Sequence, residues 1–166
     1  MIEERVILTD IDGVVLNWAY AFDVFMTEHG HTQRDGAPVY DVSTAYGITK
    51  AQGKHMVRMF NESAAMGFLP PLRDAMHYMK KLHEEHGYVF HAITSQSSNP
   101  NAQKLRIMNL QKLFGETLFA KFTILGCGDD KDEALEPYRD SGYTWVEDKV
   151  ENAELGVKLG LDSLLM

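Results

Sequence analysis

The sequence predicts an α/β fold: a largely parallel sheet with helices on both faces, three layers in all, interrupted by one helical insertion. Three observations carry this expectation. Short apolar runs alternate with amphipathic segments along 166 residues, the pattern of a parallel sheet built from crossover units. The first run, Val6-Ile7-Leu8-Thr9, stops at Asp10-Ile11-Asp12-Gly13, as a buried strand would on reaching the carboxyl edge of an open sheet. The first two runs are separated by roughly twice as much chain as the later pairs, more than a crossover helix requires.

The elements follow in order. Strands are expected near Arg5 to Thr9, Tyr88 to Ile93, Phe122 to Leu125, Tyr143 to Val146 and Leu161 to Leu165. Between the first two, Asn17 to about Pro70 reads as the insertion. It has helical patterns near Trp18 to His29 and Thr49 to Met66, joined by a Gly/Pro/Asp-containing loop, and Gly67-Phe68-Leu69-Pro70-Pro71 reads as the return hinge. The insertion is expected to form a lid over the strand ends. Leu72, Met76, Met79, Leu82 and His86 recur at helical spacing, as do Leu105, Met108, Leu113 and Phe114 before Gly115. Pro137 interrupts the helix between Asp132 and Arg139, and a last helix runs from Glu151 to Leu159. Met56, Met59, Met66, Met76 and Met79 read as adaptable core filler.

Composition limits the function. The net charge of −8 weighs against binding long nucleic acid, which needs a basic footprint. No apolar run is long enough to span a bilayer and no signal-peptide pattern is present, so no membrane partner is expected and a cytoplasmic location is. The single cysteine, Cys127, makes no internal disulfide and reads as a structural or loop residue. His83 and His86 could share a metal but more simply flank a solvated helix end. With the final strand so near the last residue, one sheet edge is left less covered, which is compatible with a homodimer.

The chemistry concentrates at strand ends. Asp10 and Asp12 lie too close to stay ionised without a cation or a shared proton, and Gly13 allows a sharp turn or a close approach; a solvated turn would also use these residues. The second strand ends in Thr94-Ser95, the fourth in Glu147-Asp148, and Lys131 lies between the third and fourth. Carboxyl ends of parallel strands point one way, so these groups can converge. Four carboxylates at one point require a divalent cation. Oxygen donors without thiolate or imidazole suggest Mg²⁺. Thr94 could instead cap the next segment, Lys104 and Lys121 compete with Lys131, and Glu147-Asp148 could simply open a helix.

Asp10-Ile11-Asp12-Gly13-Val14, then Thr94, then Lys131, then Glu147-Asp148 resembles the four-motif signature of the haloacid dehalogenase superfamily, and its phosphatases in particular. The aromatic Trp18, the hinge 67–71 and Thr94-Ser95 are similar to the small 5'-nucleotidases, including the 5'(3')-deoxyribonucleotidases. The resemblance implies a Rossmann-like core over 1–16 and 71–166, with a compact helical cap over 17–70. It implies a Mg²⁺-dependent phosphomonoesterase acting on a small phosphorylated metabolite, a nucleotide by this likeness. Asp10 would be the nucleophile, forming an aspartyl-phosphate, and Asp12 the general acid and then base. Asp10, the Asp12 carbonyl and Asp148 would hold the metal, with Glu147 as ligand or support. Thr94, Ser95 and Lys131 would bind the phosphoryl group. Trp18, with Tyr46 or another cap aromatic, would stack on the base, although Trp18, Phe22 and Phe25 could equally pack the cap onto the core.

Overall fold

A computed structural model of the chain describes residues 5–35 and 41–166. Its strands are β1 (Val6–Thr9), β2 (Val89–Ser95), β3 (Phe119–Leu125), β4 (Thr144–Glu147) and β5 (Asp162–Leu165). All pair in parallel, in the order β3-β2-β1-β4-β5. The central strand is therefore β1, flanked by β2 on one side and β4 on the other. Chain order reverses there, and such a switch point leaves a crevice beyond the strand ends. The Asp10 loop opens into that crevice.

Two strands differ from expectation. β2 continues through Thr94 and Ser95, and β3 begins at Phe119, three residues before the expected Phe122. Ala120 and Lys121 are exposed, so the start of β3 lacks an apolar signal. Its register also shifts between Phe90 and His91.

Residues 17–70 leave the sheet after Leu16 and return beside it. They form α1 (Trp18–Glu28), α2 (Val42–Tyr46), α3 (Lys50–Asn61) and a 3-10 turn at Ala64–Gly67. Leu16 bridges Pro71, the Asn17 amide donates to Pro70 and the Leu72 amide to Val15, both at 2.8 Å. The single helix expected from Thr49 to Met66 is thus two elements. Thr49 and Gln52 cap α3 reciprocally, and Ser63 accepts from Ala65 to start the turn. The five-residue α2 is too short to leave a periodic trace. The expected loop before it falls largely on residues 36–40, outside the described residues.

The remaining helices are α4 (Ala75–His86), α5 (Pro100–Phe114), α6 (Asp132–Leu135) and α7 (Val150–Lys158). Pro137 ends helix propagation after α6, and Glu136–Tyr138 continues as a 3-10 turn. On α5 the fully buried positions are Ala102, Arg106, Asn109, Leu110 and Phe114, whereas Met108 is 37% exposed. The buried face is therefore rotated from the one the apolar spacing suggested.

One apolar cluster runs unbroken from the sheet (Phe90, Ala92) through α5 (Leu110, Phe114) into the cap (Phe22, Met26, Phe60, Met66). A second, around Leu8, Ile93, Tyr138 and Trp145, covers the opposite face. Each such large side chain contributes about 1.5–3 kcal/mol on burial, so the cap is held by the same core as the sheet. Among the described residues no helix is long and apolar enough to cross a membrane.

Candidate active site

The loop after β1 is built around Asp10. Its amide donates to Val146 O at 2.9 Å, tying it to β4. Its Oδ1 accepts from the Ile11 amide at 2.8 Å and lies 3.0 Å from Lys131 Nζ. Gly13 adopts φ +81°, and a Cβ there would collide with the Asp148 carboxylate. Glycine is required twice over, by its backbone and by the close approach of Asp148.

Of the three lysines Lys131, Lys104 and Lys121, it is Lys131 that stands beside Asp10. It is buried, 3.0 Å from Asp10 and 2.8 Å from Glu147 Oε2, with the Trp145 ring centroid 5.2 Å away. Lys104 is exposed on α5, and Lys121 lies over Tyr138. Glu147 is 0% exposed. One oxygen accepts from Lys131, the other from the Asp148 and Lys149 amides at 3.0 and 3.1 Å. Burial opposes ionisation of Glu147, but Lys131 outweighs it and the carboxyl titrates below its ordinary value. Asp10 goes the other way. Burial raises its carboxyl well above the ordinary range, Lys131 offsets only part of that, and Glu147 and Asp12 add to the rise.

Asp10, Glu147 and Asp148 each bring a carboxylate oxygen within 4.8 Å of the others. The donor set is all oxygen, which fits a hard divalent cation such as Mg²⁺. Asp12 is not part of this trio. Its carboxylate faces Arg106, which reaches it from α5 through two bonds, Nη1 to Oδ1 at 2.8 Å and Nη2 to Oδ2 at 3.0 Å. Arg106 is 0% exposed; its Nη2 also lies 3.6 Å from Met66 Sδ, and its Nε has no partner among the described residues. The parallel fork fixes both the position and the plane of the Asp12 carboxylate. Sequence reasoning missed Arg106. The available signal was a pair of polar residues, Arg106 and Asn109, at helical spacing with Ala102 and Leu110.

A cavity of about 530 Å³ is lined by Asp10, Asp12, Trp18, Ser95, Lys131 and Asp148, among others. The expected site residues thus share one space, except that Thr94 and Ser95 part company. Ser95 lines the cavity and donates to Asp129 O at 3.2 Å. The Thr94 hydroxyl is buried and unpaired among the described residues. Trp18 stacks on Phe22 with centroids 4.6 Å apart and donates from Nε1 to Asn61 Oδ1 at 2.9 Å. Asn61 in turn donates to Gln96 O at 3.2 Å, and Gln96 Nε2 returns a bond to Asn61 O at 3.1 Å. This pair ties α3 to the loop after β2. Tyr46 is not available to a ligand: it is buried against Phe22, and its hydroxyl donates to Asp23 at 2.9 Å.

The other histidine and cysteine positions lie apart from this chemistry. His83 bonds the Tyr88 carbonyl through Nδ1 and Thr117 through Nε2, so both ring nitrogens serve the fold. Cys127 is exposed on the loop after β3, and partial burial with the charges of Asp129 and Asp12 pushes its thiol up, opposite to an activated nucleophile.

The fold defines a class. This is the haloacid dehalogenase-like, Rossmann-type α/β fold, shared with a candidate phosphatase of Clostridium difficile at TM-score 0.65 and 15% identity, over 98% of this chain and 84% of that one. A candidate haloacid dehalogenase-type hydrolase of Bacillus subtilis, solved bound to magnesium, matches at TM-score 0.62 and 13% identity, over 98% and 86%. No protein-family model matches the sequence. A relative found by sequence is an uncharacterised 32.4 kDa protein of Enterobacteria phage T4, 28% identical over 114 residues. That match covers 65% of this chain and 40% of the phage protein.

Proposed function

We propose that this chain is a Mg²⁺-dependent phosphomonoesterase that works through an aspartyl-phosphate on Asp10 and acts on nucleoside or deoxynucleoside monophosphates. The observation that carries the reading is the placing of Asp10, Asp12, Lys131 and Asp148 around one cavity, with a buried lysine against the proposed nucleophile. A solvated turn has no use for that lysine.

The Asp10 and Asp148 side chains and the Asp12 carbonyl would hold Mg²⁺, with Glu147 as ligand or support; when bound, the ion lowers the repulsion between carboxylate and phosphate. Lys131 adds a fixed positive charge on the same side, anchored by Glu147. An Asp10 oxygen forms a bond to phosphorus as the ester P–O bond breaks; Asp12, having let go of one Arg106 bond and taken a proton from solvent on that oxygen, gives the proton to the departing oxygen. Asp12 then takes a proton from water, whose oxygen attacks phosphorus and frees Asp10 with release of inorganic phosphate. Ser95, Thr94 and the amides after them supply donors to the phosphoryl oxygens, with Ser95 at the cavity wall. Trp18 supports a nucleotide substrate because it lines the same cavity and is oriented by Asn61.

The test is phosphate release with Mg²⁺ and with EDTA, across nucleoside and deoxynucleoside monophosphates, sugar phosphates and an aryl phosphate. Release that needs the metal and disappears in Asp10→Asn supports the chemistry, and a lead of nucleotides over sugar phosphates supports the substrate. A folded, Mg²⁺-binding protein that releases phosphate from none of them overturns the reading.

A further inference from the structure

A second, larger cavity of about 960 Å³ adjoins the catalytic one; Gly128 lines both. Its cap wall is α3, which contributes Lys50, Lys54 and Arg58. These residues are four apart, so they rise on one face over about 12 Å. The sequence of α3, KAQGKHMVRMFN, contains no acid at all, in a chain whose net charge is −8. The opposite wall is neutral and polar: Gln96, Ser97, Ser98 and Gly128.

Two acids also line this cavity, and both are engaged. Asp41 accepts from the Ser43 and Thr44 hydroxyls and the Thr44 amide, which hold its carboxyl near pKa 2. Glu62 lies 3.4 Å from Arg58 and accepts from Ser97 at 3.3 Å. The Arg58 side chain is 77% exposed, so this pair is weak and readily exchanged for a stronger anion. Lys50 and Lys54 make no ion pair among the described residues. Two cations without an ion pair among the described residues thus stand on one face of a concave wall, beside a site that would bind phosphate, and favour an anion there.

We propose that the substrate carries a second phosphate group, remote from the one cleaved, and that Lys50, Lys54 and Arg58 bind it. This rests on the phosphomonoesterase reading and deepens it. A single nucleoside monophosphate leaves the larger cavity without a use, since a pocket of the smaller one's size is already within the range for a small ligand. The second phosphate can belong to a free nucleoside bisphosphate or to the next linkage of a short oligonucleotide; the chemistry read by the three cations is the same.

The experiment compares a nucleoside 3',5'-bisphosphate, a 5'-phosphorylated trinucleotide and the matching nucleoside monophosphate. Phosphate release is measured with the wild-type protein, and binding by calorimetry with Asp10→Asn in Mg²⁺. The wild-type protein should prefer one of the two-phosphate ligands over the monophosphate by about tenfold or more in kcat/KM. Lys50→Ala/Lys54→Ala should bring that ratio close to one, while Lys81→Ala, a lysine of α4 outside both cavities, keeps it. Which ligand leads decides between free bisphosphate and nucleic-acid end. Phosphate release without any such preference overturns the subsite and leaves the activity standing. Failure to release phosphate, with binding of a two-phosphate ligand that Lys50→Ala/Lys54→Ala abolishes, overturns the activity and leaves the subsite standing. A preference that persists in the double variant also overturns the subsite.

Discussion

Asp10 and Asp12 stand two residues apart, yet replacing each by asparagine should move stability in opposite directions. Asp10 is a buried carboxylate whose ionisation burial opposes more than Lys131 favours. Asp10→Asn removes that cost, so the metal-free protein should melt about 2–5 °C higher, while kcat falls by about a thousandfold or more. Asp12→Asn instead leaves Arg106, 0% exposed, without its carboxylate. Stripping one partner from such a pair costs about 3–5 kcal/mol, so this variant should melt well below wild type as well as lose turnover. Adding Arg106→Met should restore part of the stability and none of the activity. Thermal melts with EDTA check all three. The pH dependence has a definite sign. With its folded value raised, native Asp10 holds a proton that the unfolded chain releases, so its contribution to stability is present below the ordinary carboxyl value and is lost as pH rises through the folded value. The gap in melting temperature between Asp10→Asn and wild type should therefore widen as pH rises above the ordinary carboxyl value. Asp10, Asp12 and Asp148 were legible as neighbours because strand-end position and charge both mark them; Lys131, in the connection between β3 and β4, was singled out only by the order of the motifs. Arg106 was not, since an arginine within a helix ordinarily reads as a solvated one.

At the scale of elements, the Asp10 loop is the most constrained stretch. Gly13→Ala would force an unfavourable left-handed backbone and press on Asp148, and should weaken Mg²⁺ binding about tenfold or more while the sheet stays folded; titration of the metal against circular dichroism checks it. Trp18→Ala should raise KM for nucleotides more than for an aryl phosphate, and equal effects on both would remove Trp18 from base binding. The parallel sheet was legible because β1, β2 and β4 are apolar runs ending in polar groups. The first residues of β3 were not, because exposed Ala120 falls at the register shift and exposed Lys121 carries no apolar signal. The cap helices α1 and α3 were legible from their spacing. The division after Asn61 was not, because Asn61 is buried by a tertiary exchange with Gln96 that no local pattern encodes. Tyr46 was misread for a related reason: an aromatic in a cap serves a ligand or a core equally well until the neighbours of Phe22 are known.

Over the whole molecule, the shared core makes the cap a part of the folding unit. Phe60 is 0% exposed and packs on Trp18, Phe22 and Phe25. Phe60→Ala should cost about 3–5 kcal/mol and lower one transition common to cap and sheet. Separate melting of a helical segment before the sheet would contradict a common core. The net charge of −8 weighed against long nucleic acid, and it is the distribution of that charge, with α3 free of acids, that sequence totals conceal.

The chain contains two tryptophans, and the fold sets one on each side of the cavity chemistry. Trp18 lines the space from the cap, and Trp145 lies beneath Lys131, fully enclosed, with its Nε1 donating to Asn152 O at 3.1 Å. The protein therefore carries two native optical reporters, one at the cavity wall where the proposed reading puts the organic part of a ligand, and one buried behind the lysine it assigns to the phosphoryl end. In Trp18→Phe the remaining emission should respond to Mg²⁺ and inorganic phosphate. In Trp145→Phe it should respond to the nucleoside, so that the two ends of a bound molecule can be followed separately, without a label, as it arrives and leaves.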